Sequence, residues 1–409
     1  MAASTPSRPL DNPAQQAAGL LIRLGVAVLA IGVPCGAVLS RRVIFSVMPV
    51  GAVLILLGVA LDPRRAHLER LRSLLSSPAA VTALFILAWA GLTLVWTPFA
   101  GLAAERYIKT AGTLLLAAVA AASLPAHTKT SNLYLLPLGL AIAALGALAM
   151  GVVAPHAPGQ DIETSTLDRA ALTLTLLVWP ALAALAVRDR WASAGALAVA
   201  VAVAIIAVWT PTALAALALG AITFSLATSL PQRVGRALGV FFGALIMLAP
   251  AIPLALAPLM RHGAGAFALA MQTAERIVLG EGLRLVTGHG LDSLSRSIAL
   301  AYLPAGTPRS VLFEIWYEFG VVGALALALL VLFAFHRASL APRPAAAFLL
   351  AALVCGLIIS LSGLVTAQLW WMTLLAVVGV QFALVLKGQY RSVRPAAQVL
   401  SAGSPQIQS

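Results

Sequence analysis

Residues 170–187 read AALTLTLLVWPALAALAV, eighteen positions without one charged side chain. At about 1.5 Å per residue, a helix of that length approaches the roughly 30 Å of hydrocarbon in a bilayer. Working outward with a window of about 20 residues finds five more apolar segments before it, near 19–39, 44–61, 79–97, 108–124 and 133–154. Six follow it, near 192–208, 212–229, 237–258, 311–334, 345–366 and 369–386. Backbone polar groups in hydrocarbon have to be bonded within their own segment, and no barrel-like alternation runs through these stretches, so each predicts a helix. The expected fold is all-α, a polytopic transmembrane bundle of about twelve helices. Tight breaks at Ser40-Arg41-Arg42 and Trp209-Thr210-Pro211 leave room for ten to thirteen, and no internal repeat at a fixed period is present.

Composition agrees. Hydrophobic residues make up 61% of the 409 and charged residues 10%, against about 45–50% and about 25% in soluble domains. The two cysteines, Cys35 and Cys355, both sit in apolar runs and read as small packing residues, with no disulfide framework or thiolate metal site. The expected divisions are a cytoplasmic N-terminal segment 1–18 leading into a retained first span, helices 1–9 over 19–258, a polar loop 259–310, helices 10–12 over 311–386, and a disordered cytoplasmic tail 387–409.

The basic residues set an orientation. With the N-terminus inside, fifteen of the 26 Lys and Arg face the cytoplasm, ten face the other side and Arg23 lies within the first span, while nine of the 13 acids face outward. The positive-inside rule then places both termini in the cytoplasm. Five of the ten outward cations are Arg261, Arg276, Arg284, Arg296 and Arg309 of the polar loop, an exception to that rule. Arg presents a planar fork that matches phosphate oxygens in pairs, so this loop predicts an anion site. The net charge of +13 is otherwise accounted for by topology and attraction to anionic membrane lipid. Dispersal of the cations over short loops excludes a nucleic-acid-binding surface.

Two outward loops carry the chemistry. The first, His156 to Arg169, holds Asp161, Glu163 and Asp168 and ends with Arg169 at a helix N-terminus, where the macrodipole opposes a cation. Arg169 is read there either as a ligand for an external anion or as a side chain paired with Asp168. In the second, residues 271–287 read as an amphipathic helix, followed by the turn Gly288-His289-Gly290-Leu291-Asp292 and then Arg309. Glu314 and Glu318, one turn apart on the next helix, are read either as acids favoured by a helix N-terminus or, for Glu318, as the partner of a loop arginine. The acids have no metal-ligand spacing, so no metal and no cofactor is expected. Spans nearly free of acids also argue against an ion-coupled carrier.

In order, Asp168-Arg169, Trp179-Pro180, Arg276, Gly288-His289-Gly290-Leu291-Asp292, a proline turn and Leu312-Phe313-Glu314-Ile315-Trp316-Tyr317-Glu318-Phe319-Gly320-Val321-Val322-Gly323 resemble the O-antigen ligase and O-antigen polymerase superfamily of bacterial envelope enzymes. The resemblance covers roughly residues 160–325, and the rest as a hydropathy profile. It implies a GT-C-like, metal-independent glycosyltransferase in the inner membrane with its site facing the periplasm. The donor would be an undecaprenyl-pyrophosphate-linked glycan and the acceptor a hydroxyl on lipid A-core or another glycan. A repeat-unit polymerase uses the same donor chemistry, and a flippase for such a lipid is the alternative of a different class.

By position the resemblance makes Arg169 and Arg276 pyrophosphate ligands, with Arg284 beside them. The family's catalytic histidine falls on Arg309 and its neighbour on Ser310. Arg stays protonated in proteins, so Arg309 is no general base. His289 is then the substitute base, with Asp292, Glu275 and Glu281 behind it and His262 further off. Alternatively Arg309 adds a third cation to the leaving group, or this member has lost or changed the activity.

Overall fold

The computed structural model describes residues 13–61, 72, 75–125, 130–153, 166–261, 263, 265–280, 282, 284–363 and 368–388. Asp161, Glu163, His262, Glu281 and the tail beyond residue 388 lie outside them.

The described residues are helical, with no strand. In chain order the helices are α1 (Pro13–Leu39), α2 (Arg41–Ala60), α3 (Pro78–Thr93), α4 (Ala100–Ser123), α5 (Leu135–Val153) and α6 (Thr166–Ala186). Then come α7 (Trp191–Val208), α8 (Pro211–Ser229), α9 (Pro231–Met247), α10 (Ala251–Leu256), α11 (Ala266–Gly280) and α12 (Arg284–Thr287). The chain ends with α13 (Ser293–Ala299), α14 (Val311–Ser339), α15 (Ala345–Leu361) and α16 (Leu369–Leu386).

Each apolar segment of the sequence overlaps a helix. Among the described residues, eight helices are long and apolar enough to cross a membrane: α1, α2, α5 to α8, α14 and α16. Helices α3 and α15 are apolar but shorter. Helix α4 begins at Ala100 rather than near residue 108, which takes Glu105 and Arg106 into it. The ninth segment is divided, because Pro250 follows the end of α9 and a separate short α10 begins after it. The first helix starts at Pro13, inside what reads as the N-terminal polar segment.

The stretch quoted first forms the pillar of the bundle: every residue of α6 from Asp168 to Ala186 is buried. It packs against α5, α7, α8, α15 and α16. Small residues let neighbouring backbones meet, as they do where lipid gives no hydrophobic drive between helices. A Cβ on Gly139 would stand 2.1 Å from the Ala30 carbonyl oxygen. Cys355 fits the same pattern, its Sγ lying 3.0 Å from Trp179 Nε1 and 3.0 Å from the Ala216 carbonyl. A second apolar core joins α9, α14 and α15. At the far end of α4, Lys387 Nζ donates to the carbonyls of Ala121, Ala122 and Leu124 at 2.9, 3.0 and 3.2 Å, a cation on a helix C-terminus.

Candidate functional site

The site is organised by a break in α14. Gly320 has φ 64° and ψ −163°, a conformation that is essentially glycine's alone, so the helix stops and restarts there. Carbonyls just before a break lose their helical donors, and in an apolar surrounding each needs another. The donors come from far away in sequence. His289 N–H bonds the Tyr317 carbonyl at 2.8 Å, Gly290 N–H bonds that of Glu318 at 2.9 Å, and Trp89 Nε1 bonds that of Phe319 at 3.0 Å.

The Gly-His-Gly turn is shaped for this contact. Gly288 has φ 72°, and a Cβ there would stand 2.2 Å from the Glu318 carbonyl oxygen. The turn is held from its other side by the end of α3 and the segment after it, with Leu291 N–H donating to Thr93 Oγ1 at 3.2 Å and Thr97 Oγ1 donating to the Leu291 carbonyl at 3.0 Å. The His289 ring stacks on Tyr317, centroids 4.1 Å apart at 10°, with Nδ1 3.1 Å from the Tyr317 carbonyl oxygen.

Behind the turn lies a charge group whose centre the sequence reading missed. Arg106 of α4 reaches Asp292 Oδ1 with Nη1 at 2.7 Å and Glu314 Oε1 with Nη2 at 3.5 Å. Arg296 Nε holds the other oxygen of Asp292 at 2.6 Å. Both Asp292 oxygens are therefore occupied by guanidinium, which makes this residue an anchor of the turn. Glu318, 1% exposed, accepts the Leu294 N–H at 3.2 Å. Glu318 also faces the guanidinium of Arg106, so the arginine charge it meets comes from α4, while the loop's Arg296 goes to Asp292. The one signal for Arg106 was a charge in the run 100–123, where Glu105 and Lys109, which do pair with each other, disguised it as an exposed helix face.

Replacing Arg106 by Met leaves Asp292 and Glu314 without this partner. Breaking a largely buried ion pair from one side costs about 3–5 kcal/mol, so the thermal unfolding midpoint of the detergent-solubilised protein should fall by several degrees. An unchanged midpoint would show that the group contributes little to the fold.

The remaining residues fall into three places. Arg284, His289 and Arg309 line one cavity of about 440 Å³, walled by apolar side chains of α10, α11 and the first turns of α14, among them Pro253, Phe267, Met271, Ile277, Phe313 and Trp316. The Arg309 backbone passes close to Gly363, just beyond α15, where a Cβ would stand 2.8 Å from the Arg309 carbonyl oxygen. Arg276 lines an adjoining cavity of about 300 Å³ with Thr273, Gly280, Pro304 and Ile277, the last of which borders both cavities. Arg169 lines neither. It is 5% exposed at the start of α6, with Nη2 bonded to Thr166 Oγ1 at 3.1 Å, and Asp168 beside it accepts from Thr210 Oγ1 at 2.5 Å. Arg284, His289 and Arg309 meet in one cavity, Arg276 lines the adjoining one on the other side of Ile277, and Arg169 lines neither, where a single anion site for Arg169, Arg276 and Arg284 was expected. The expected helix over 271–287 is two pieces, α11 and the single turn α12, because Gly280 and Gly282 interrupt it.

Among the described residues no three His, Cys, Asp or Glu side chains gather as a metal site. No protein-family model and no curated protein matches this chain.

Proposed function

We propose that the protein is a glycosyltransferase that moves a glycan from a polyprenyl diphosphate to an acceptor hydroxyl at the outer face of a bacterial inner membrane. In this reading one helix from each of the twelve apolar segments crosses the bilayer and both termini are cytoplasmic. The observation that carries it is the cavity lined by Arg284, His289 and Arg309 together with mostly apolar side chains. An amphiphile with an anionic head matches that division, and about 440 Å³ suits the head and the first part of its tail rather than a whole lipid.

The chemistry follows from the charges. The acceptor oxygen attacks the anomeric carbon, the bond from that carbon to the diphosphate oxygen breaks, and its electron pair leaves with the diphosphate. Arg284 and Arg309 would neutralise the charge that develops on the leaving group, commonly the largest single catalytic term. His289 would take the hydroxyl proton. Diphosphate is already a good leaving group, so the reaction asks for no Lewis acid. Arg309 then serves as a cation at the place where the resembling family carries its histidine.

The test is the purified protein in proteoliposomes with a short polyprenyl-diphosphate-linked glycan and a lipid-linked sugar acceptor. Free polyprenyl diphosphate and a glycosylated acceptor should accumulate together. An intact donor after prolonged incubation would overturn the proposal.

A second reading, a carrier that moves such a lipid-linked glycan between leaflets, is favoured by one feature. Helix α14 is discontinuous beside the ionisable group of Arg106, Glu314 and Glu318, and broken helices next to charged residues occur in transporters. Movement of labelled donor between leaflets without cleavage of its glycosidic bond would select it.

A further inference from the structure

The break in α14 and the setting of His289 are one device. We propose that Gly320 is a positioning residue: by ending the first half of α14 it hands the Tyr317 carbonyl to His289, holding the imidazole as the Nδ1–H tautomer with Nε2 as its basic nitrogen. What Nε2 then does rests on the transfer reading above, whereas the tautomer rests on geometry alone.

In an unbroken helix the Tyr317 carbonyl would accept the Val321 N–H, and the next turn would fill the space beyond it. At Gly320 the chain turns away, and the carbonyl meets the 288–290 turn instead. Two nitrogens of one residue approach it, the His289 backbone N–H at 2.8 Å and the ring Nδ1 at 3.1 Å. A carbonyl oxygen only accepts. A neutral ring therefore places its proton on Nδ1, since the other tautomer would set a nitrogen lone pair against the oxygen. The stack on Tyr317 fixes the ring plane as well, at 10° and 4.1 Å. Neither segment could come this close with side chains at the contact. A Cβ on Gly320 would lie 2.3 Å from the Val286 carbonyl oxygen, and one on Gly288 2.2 Å from that of Glu318. His289 also lines the cavity that holds Arg284 and Arg309, so the orientation of its ring bears on that chamber.

Nitrogen-15 NMR of histidine-labelled protein in lipid reads the tautomer directly, at a pH well above about 6.5, where imidazoles are ordinarily neutral. The difference from His289→Gln assigns the signal. A pyrrole-type Nδ1 and a pyridine-type Nε2 are expected; a protonated Nε2, or an even mixture, overturns the proposal. Gly320→Ala should convert the single tautomer into a mixture, and a folded Gly320→Ala protein that keeps Nδ1–H unmixed removes Gly320 from this role. Should that variant not fold, the wild type decides by itself: carbonyl-13C tyrosine must show dipolar coupling to His289 Nδ1, and no coupling overturns the contact. The two readings fail separately. Nδ1–H with undiminished transfer in His289→Gln removes the base and keeps the positioning, while Nε2–H with transfer lost in His289→Gln does the reverse.

Discussion

Alanine at both Arg284 and Arg309 is expected to lower kcat/KM for transfer from the polyprenyl diphosphate donor by about 10³-fold or more, with little change in stability. Both side chains are exposed and line one cavity, and losing a single donor to developing negative charge commonly costs about 10²–10³. Substitutions at exposed positions ordinarily move stability by about 0.5 kcal/mol or less, so loss of rate with a retained unfolding midpoint isolates the chemistry. Arg309→Lys adds a finer comparison. It keeps the charge and loses the two-pronged fork, so its rate should fall between those of wild type and Arg309→Ala. Arg276→Ala, in the adjoining cavity, should cost about tenfold or less. Equal losses at Arg276 and Arg284 would mean that the diphosphate lies across both cavities, and full activity in the double variant would remove the site from the reaction.

The largest effect on the fold is expected at Gly320. Alanine there must adopt φ 64° with ψ −163° and place its Cβ 2.3 Å from the Val286 carbonyl oxygen and 2.7 Å from Gly288 N. Backbone strain of this kind costs about 1–3 kcal/mol, and pushing the turn away also strips donors from the Tyr317 and Glu318 carbonyls, so a total of about 3 kcal/mol or more is expected. Thermal unfolding in detergent and the yield of monodisperse protein report it. Gly379→Ala is the control: that glycine lies within α16 with open space around its Cβ position, and alanine should be neutral or stabilising by up to about 1 kcal/mol. Equal behaviour of the two variants would show that the break is not a fixed part of the structure.

How much of this was legible follows from the range of each interaction. The segment 170–187 declared itself a helix because its hydropathy and length are properties of consecutive residues, and α6 is that helix. Gly288-His289-Gly290 was legible as a turn, since glycine pairs permit backbone that other residues resist. What that turn touches was not legible, because Tyr317 and Glu318 lie in a run that reads as uninterrupted helix. The boundary of α4 was misjudged at the point where Arg106 enters, as a charge beside Glu105 and Lys109 looks solvated until its neighbours in space are known. Arg169 and Arg284 were equally plausible ligands by residue type, and packing separated them.

The sequence by itself determined an all-helical chain with membrane-crossing lengths, a polar arginine-bearing loop before α14, and flexible backbone at 288–290, all of them sums over neighbouring residues. Tertiary structure alone decided that Arg106 grips Asp292, that Arg309 rather than Arg169 shares a chamber with Arg284 and His289, and that α14 breaks at Gly320. Each of these is a choice of partner between residues far apart in the chain. A guanidinium or a freed carbonyl is satisfied by whichever group the fold brings within about 3 Å, and residue type does not say which that is.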